Sequence, residues 1–228
     1  LFSIPHSDFR ISPPYCGLRV RSGNVGPMTF DIPPDTLGLI FDCDGTIADT
    51  MPLHYRAWVA ALGEHGVEFP EALFYELAGV PTDAIIRILN DRHGHHMPVR
   101  QTAELKDRLS EQFIPEVLPI EPVVQVARAY KGKLPMAVAS GGTRVMVHKT
   151  LGAVGLLDMF DAVVTAEDVK HGKPAPDIFL EAARRLGIPP GRCVGFEDGE
   201  LGLQSARAAG MVVIDVRPAY RNAPGPPQ

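Results

Sequence analysis

The chain has 228 residues, 45% of them hydrophobic and 21% charged, the ordinary range for a globular protein long enough to bury a core. Its 22 basic and 27 acidic residues give a net charge of −5, and the cations are scattered, which argues against a nucleic-acid-binding surface and makes any anion site local. No apolar run approaches membrane-spanning length and no compact hydrophobic stretch near Leu1 looks like a signal peptide, so a cytoplasmic protein is expected; a monomer is expected as well. The three cysteines, Cys16, Cys43 and Cys193, are odd in number and lack C-x-x-C spacing, which disfavours a disulfide framework or a zinc site. Cys43 and Cys193 read as small buried hydrophobes.

Residues 1–36 carry Pro5, Pro13, Pro14, Pro27, Pro33 and Pro34 with no sustained period, and read as an extension without a core of its own. The chain begins at Leu rather than Met, which is read as a processed, truncated or tagged terminus, with Met28 as a candidate natural start. Leu37-Gly38-Leu39-Ile40-Phe41 follows, a continuous apolar run stopped by a Gly-Thr turn, and predicts a strand buried on both faces. Asp42 and Asp44 come next. In extended backbone, residues i and i+2 point the same way, so both carboxylates would project from the strand's C-terminal end, where open α/β sheets bind ligands. Two carboxylates there are costly unless a cation or a proton is shared between them, which suggests magnesium-assisted phosphoryl transfer.

From Thr50 to about Leu118 the pattern turns helical. Helices are expected over Pro52–Leu62 (apolar face Leu53, Ala57, Ala60 and Ala61, with Trp58 at its border), Glu71–Ala78, Thr82 to about Arg92 (stripe Ile85, Ile86, Leu89) and Gln101–Phe113 (stripe Leu105, Leu109, Phe113). Four helices with no strand among them read as a small insert, joined through short connections near Ala48–Pro52 and Pro115–Pro122 that suit a lid.

Strand–helix alternation then begins. Helices are expected over Pro122–Tyr130, Thr143–Leu151, Pro176–Leu186 and Leu201–Ala209, and strands over Pro135–Ser140, Ala162–Thr165, Cys193–Phe196 and Met211–Val216. This rhythm implies βαβ crossovers and a parallel sheet. The expected division is an extension over 1–36, an α/β core over 37–49 and 119–217, a helical insert over 50–118 and a Pro-rich tail over 218–228.

Candidate chemistry recurs at the strand ends. Asp42-Cys43-Asp44-Gly45-Thr46 is the first piece. The second is Ser140 before Gly141-Gly142 and a helix, where a hydroxyl and N–H groups can hold a phosphate oxygen. Lys173, in His171-Gly172-Lys173-Pro174, is the third, a point charge able to neutralise a carboxylate and a phosphate together. Glu197-Asp198-Gly199 is the fourth. Each alone has a bland reading: a solvated turn for the first, a helix start for Ser140, surface charge for Lys173, dipole compensation for Glu197-Asp198. His93, His95 and His96 lack a partner with ligand spacing and read as a solvated turn. Lys170 competes with Lys173.

These motifs, in this order over about Leu37 to Val216, resemble the haloacid dehalogenase superfamily, in particular its β-phosphoglucomutase-like branch of sugar phosphatases and mutases. The resemblance implies a Rossmannoid parallel-sheet core with an inserted helical cap. It makes Asp42 the nucleophile that forms an aspartyl-phosphate and Asp44 the acid that protonates the leaving alcohol and later activates water. It places Mg2+ on the Asp42 carboxylate, the Asp44 carbonyl and Asp198, with Glu197 adjacent, and it puts Ser140 and Lys173 on the phosphoryl oxygens. Thr46 and Asp49 would brace the first loop. The motif Lys immediately precedes a Pro, which selects Lys173 over Lys170. An acid at Asp44 distinguishes phosphate-ester enzymes from true dehalogenases of the same fold.

In the insert, Thr50, His54, Arg56 and Trp58 match the branch's first cap helix. His54 is then a candidate partner of Asp44, and Trp58 is cap core or a substrate platform. Leu77-Ala78-Gly79-Val80-Pro81-Thr82 matches its specificity loop with departures: mutases of the branch have Lys where Ala78 stands, Arg where Thr82 stands and a Lys near Thr143. These absences favour a phosphatase of a monophosphorylated sugar, such as fructose 1-phosphate or 6-phosphogluconate, over a mutase. A phosphosugar-binding protein without turnover is the reading from another class.

Overall fold

The computed structural model describes residues 30–77 and 80–218. The expectations for the earlier prolines, Cys16, Met28, Ala78, Gly79 and the tail from 219 onward lie outside the described residues.

Five parallel strands form one sheet: β1 (Gly38–Phe41), β2 (Met136–Ala139), β3 (Ala162–Val164), β4 (Cys193–Glu197) and β5 (Val212–Asp215), in the order β3-β2-β1-β4-β5. The α/β parallel-sheet class expected from the rhythm is therefore what the chain adopts. β1 is central, with Leu39 opposite Met136 on one side and Val194 on the other. Its alternation divides the core. Leu39 and Phe41 face a cluster with Val123, Val138, Leu151 and Phe196, while Ile40 faces Ala137, Val164, Phe179 and Ala206. Leu39, Ile40 and Phe41 are fully buried, and Phe41 stacks on Phe196 with ring centroids 4.6 Å apart. At about 1.5–3 kcal/mol for each buried side chain, this packing fixes where the tip of β1 lies. Phe30 and Ile32 pack against the first cluster, so the segment before the first strand contributes to the core.

Helices α1 (Met51–Gly63), α2 (Glu71–Glu76), α3 (Thr82–His93) and α4 (Val99–Phe113) intervene between β1 and the rest of the sheet. They enclose a separate cluster containing Trp58, Leu62, Phe69, Phe74, Ile86 and Leu89. The two connections run alongside each other, with Asp49 N donating to Leu118 O at 2.9 Å and Ile120 N to Ile47 O at 2.8 Å. Helices α5 (Glu121–Tyr130), α6 (Arg144–Ala153), α7 (Asp177–Leu186) and α8 (Glu200–Ala208) cover the sheet. No helix among the described residues is long and apolar enough to cross a membrane.

Two helix faces differ from expectation. In α1 the buried side chains are Ala57, Trp58, Ala61 and Leu62, so Trp58 sits inside the stripe and Ala60 is exposed. In α4 the expected stripe of Leu105, Leu109 and Phe113 is only partly buried, and the buried residues are Thr102, Ala103, Lys106 and Ser110. The physical reason is that α4 packs along α1 through polar pairs. Thr102 Oγ1 lies 3.0 Å from His65 Nε2, Lys106 Nζ lies 5.7 Å from the Trp58 ring centre, and Ser110 Oγ lies 3.4 Å from His54 Nδ1. α2 ends at Glu76, short of the expected Ala78.

Candidate active site

Asp42 follows β1 directly, its N–H held by Phe196 O at 3.0 Å, and the residue is 5% exposed. Glu197 ends β4, the neighbouring strand, and is likewise buried. Lys173 arrives from the β3–α7 connection, whose Ala175 carbonyl accepts a 2.6 Å hydrogen bond from Ser205 of α8. Its Nζ lies 2.6 Å from Asp42 Oδ1 and 2.5 Å from Glu197 Oε1. Both carboxylates attract this ammonium strongly enough to raise its pKa although burial opposes it. Lys170, the competing lysine, is exposed.

Asp198 completes the cluster. Its Oδ1 accepts from Thr46 Oγ1 at 3.4 Å, which ties the loop after β1 to the loop after β4. Gly45 permits this approach: its φ is +81°, and a Cβ there would lie 2.2 Å from Asp198 Oδ2. Asp42, Glu197 and Asp198 each offer an oxygen within 4.8 Å of the others'. Burial, followed by the charge of Glu197, pushes the Asp198 carboxyl up to about 7. Burial likewise raises Asp42 well above the usual range despite the adjacent ammonium. Three hard oxygen donors packed this closely, two of them held towards their protonated forms, suit a small divalent cation. Among the described residues this is the one group of His, Cys, Asp or Glu with such spacing, and the histidines near His93 form none.

Asp44 lies on the same loop, under the helical insert. Its Oδ1 is 3.5 Å from His54 Nε2, and its Oδ2 is 3.5 Å from Ser140 Oγ. Burial pushes this carboxyl up, but His54, with Lys106 behind it, more than offsets that and holds it below its ordinary value. Ser140 is buried at the end of β2 and accepts from Gly142 N at 3.0 Å. A Cβ at Gly142 would come within 3.5 Å of Asp44 Oδ2, so backbone N–H groups near the start of α6 border the same space.

The sequence-derived residues Asp42, Asp44, Thr46, His54, Ser140, Gly142, Lys173, Glu197 and Asp198 thus form one contiguous set. Gly141 is exposed beside it. Trp58 is 3% exposed within the core of the insert, against Phe69. Thr82 opens α3, half-buried, and makes no side-chain hydrogen bond to the carboxylate cluster. Asp49 is half-buried, and burial raises its carboxyl. Sequence reasoning missed Lys106 and Ser110. Their signal was present as polar residues four apart on a helix beside a weak apolar stripe, but that pattern ordinarily marks a solvated face.

Residues 37–210 match the family model described as haloacid dehalogenase-like hydrolase. The fructose-1-phosphate phosphatase YqaB of Escherichia coli K12 is 42% identical over 184 residues, which cover 79% of this chain and 96% of that protein. Hexitol phosphatase B of the same organism is 32% identical, covering 84% of this chain and 89% of that one. Among solved structures, a β-phosphoglucomutase from Clostridium difficile aligns with a TM-score of 0.69 at 26% identity, covering 79% of this chain and 84% of that one. The family match spans both acid-bearing strand tips and the lysine loop between them, and the chain belongs to the haloacid dehalogenase-like hydrolases.

Proposed function

We propose that the protein is a magnesium-dependent phosphatase of a small phosphorylated sugar, with fructose 1-phosphate the first candidate, working through an aspartyl-phosphate. The observation that carries this reading is Lys173 Nζ seated 2.6 Å from Asp42, with Glu197 and Asp198 oxygens within 4.8 Å of the Asp42 carboxylate. The phosphatase names of the two Escherichia coli relatives support the reaction class, and the first of them supports the substrate. A cytoplasmic location and a monomeric state belong to the same reading.

An Asp42 oxygen forms the new bond to phosphorus as the bond to the sugar oxygen breaks. Asp44 must first take up a proton from solvent, because His54 holds it ionised; it then gives that proton to the departing oxygen and later takes one from the water that attacks the aspartyl-phosphate, which frees Asp42 and inorganic phosphate. Lys173, Ser140 and the N–H groups opening α6 hold phosphoryl oxygens, which suits a loose transition state that needs chiefly positioning and neutralisation. Asp42, the Asp44 carbonyl and Asp198, with Glu197 adjacent, would hold magnesium, which when bound supplies neutralisation of phosphoryl charge. The helical insert, residues 50–118, acts as a cap over the site. Thr82, Gly141 and Trp58 are assigned to substrate positioning on the family pattern, Trp58 indirectly through the cap core.

A screen of phosphorylated metabolites with magnesium, scored for inorganic phosphate, tests this. The expected result is release from a sugar monophosphate that chelation stops and Asp42→Asn abolishes without loss of fold. Conversion of β-glucose 1-phosphate to the 6-phosphate without phosphate release would replace the reading with a mutase. Saturable sugar-phosphate binding without turnover would replace it with a binding protein.

A further inference from the structure

The insert meets the core away from its two connections as well. Lys149 of α6, in the core, donates through Nζ to Glu111 Oε1 of α4, in the insert, across 38 residues of sequence. Among the described residues neither side chain makes another ion pair. The residues beside them meet underneath. Ser110 and Thr150 are both 3% exposed and border one cavity of about 10 Å³. Leu53, Ile114 and Val117 of the insert and Met146 of α6 supply its apolar walls. A space of that size holds at most one water, so the contact under the ion pair is close to dry. The ion pair itself stands at the rim, with its side chains 45% and 47% exposed. His54 also borders this cavity, and its Nε2 is 3.5 Å from Asp44 Oδ1. One seating of the insert therefore makes both contacts across the boundary.

We infer that Glu111 and Lys149 are positioning residues: their ion pair holds the insert seated on α6, in the arrangement that brings His54 to Asp44. Neither side chain bonds to a residue of the carboxylate cluster, so the pair acts through the seating. The apolar walls favour contact between insert and core, but apolar burial has no direction and tolerates a range of hinge angles. A charge-assisted hydrogen bond is satisfied only over a short span of distance and angle, so it selects one of them. The two connections run side by side, tied by Asp49 N to Leu118 O and Ile120 N to Ile47 O, which makes a narrow hinge. α4 leads into that hinge through the turn Ile114–Glu116, so a restraint on Glu111 restrains the hinge angle. Being exposed, the pair is worth about 1.5–5-fold in the ratio of seated to unseated insert. A restraint that weak suits a lid that must also open to release product.

The effect on turnover rests on the proposed phosphatase activity; the seating does not. Spin labels on Arg87→Cys in α3 and Arg207→Cys in α8, both exposed positions, report the distance between insert and core by pulsed electron paramagnetic resonance. Cys16→Ser removes one competing thiol, and Cys43 and Cys193 are buried. Lys149→Glu and Glu111→Lys should each lower the ratio of seated to unseated molecules by about 1.5–5-fold or more, and the double exchange should restore it. Raising the salt concentration should shrink the difference between the wild type and either single variant, because the pair is exposed. kcat/KM for the sugar monophosphate should fall in each single variant and recover in the double one, in step with the distances, while magnesium affinity stays unchanged. A general loss of stability would not be repaired by exchanging the charges. Unchanged distances in both single variants, or a double variant no closer to the wild type than they are, overturns the inference and leaves the phosphatase reading untouched. Distances that respond while kcat/KM does not would remove the pair from the reaction. Distances that respond in a protein releasing no phosphate would uphold the seating and overturn the phosphatase reading instead.

Discussion

Gly202, in the first turn of α8, gives a sharp test of how firmly Glu197 is held. Replacing an exposed glycine inside a helix with alanine stabilises by about 0.8–1 kcal/mol, because the backbone has less freedom to lose. Gly152 in α6 is such a position: a Cβ there meets nothing within 4 Å. At Gly202 the same methyl would lie 1.7 Å from Glu197 Oε1 and 2.0 Å from its Cδ. Glu197 has little room to yield. Lys173 Nζ holds Oε1 at 2.5 Å, and Gly199 N donates to Oε2 at 2.8 Å. Displacing it breaks a buried ion pair, and leaving one partner buried without the other costs about 3–5 kcal/mol. The clash outweighs the propensity gain, so Gly202→Ala should lose roughly 2–4 kcal/mol while Gly152→Ala gains up to about 1 kcal/mol. For a chain of this size each kcal/mol moves Tm by about 2–4 °C, so the first variant should melt about 4–16 °C lower and the second about 2–4 °C higher. Thermal unfolding followed by circular dichroism, with both variants in one buffer, measures the difference in sign. If Gly202→Ala melts at or above the wild type, Glu197 is free to move and the account of how Lys173 is positioned fails.

Magnesium affinity should depend on pH. Asp198 is pushed up to about 7 by burial and Glu197, so protons compete with the cation: affinity should be full above about 7 and fall as pH drops through it, roughly tenfold per unit for each proton displaced. Calorimetric titration on either side of neutrality checks this, and a flat profile contradicts the assigned donors. Lys173→Met should remove activity and lower stability by about 3–5 kcal/mol, because Asp42 and Glu197 lose their shared counter-charge. Added magnesium should restore part of that loss, and a variant as stable as the wild type in chelator would show the ion pairs to be weak. Thr82→Arg should tighten binding of sugar bisphosphates if the start of α3 faces the pocket, and an unchanged inhibition constant would place Thr82 away from it.

The central strand and its acids were legible because β1 is a continuous apolar run ended by a turn. Burial on both faces leaves one arrangement for Asp42 and Asp44. Lys173 and Ser140 were legible as residues at loop and strand ends between clear elements. The role of Glu197 was less so. Sequence placed it beside the metal, whereas in the fold it also clamps Lys173 across 24 residues, a contact that depends on β4 lying next to β1. The seam between α1 and α4 was not legible. Its pairs are 56 residues apart for His54 and Ser110 and 37 for His65 and Thr102, and although His54 was read as a candidate partner of Asp44, nothing local pointed to Ser110, His65 or Thr102 as the other members. The weak apolar period of Leu105, Leu109 and Phe113 pointed to the wrong face because α4 turns its polar side towards α1 and the carboxylates.

Charge balance explains why these features belong together. When all are ionised, Asp42, Glu197, Asp198 and Lys173 carry a net charge of −2, a poor receptor for a phosphoryl dianion. The raised values at Asp42 and Asp198 show the fold accommodating that excess with protons. Between 3.8 and about 7 the folded Asp198 then binds more protons than the unfolded chain does, so in chelator stability falls as pH rises through that window. A divalent cation neutralises the cluster, while a monovalent one leaves it negative. A cation that binds the folded site and not the unfolded chain would also stabilise the fold, by about 2.7 kcal/mol at a hundred times its Kd. Asp44 adds to the pressure on Asp42 and Asp198, but its own carboxyl is held low by the contact with His54 and by the charge of Lys106, both on the insert. The Asp42–Glu197–Asp198 cluster is therefore compensated chiefly from the core, and Asp44 from the insert. One group of charges can be neutralised for phosphate while the other keeps a proton-exchanging carboxylate beside it.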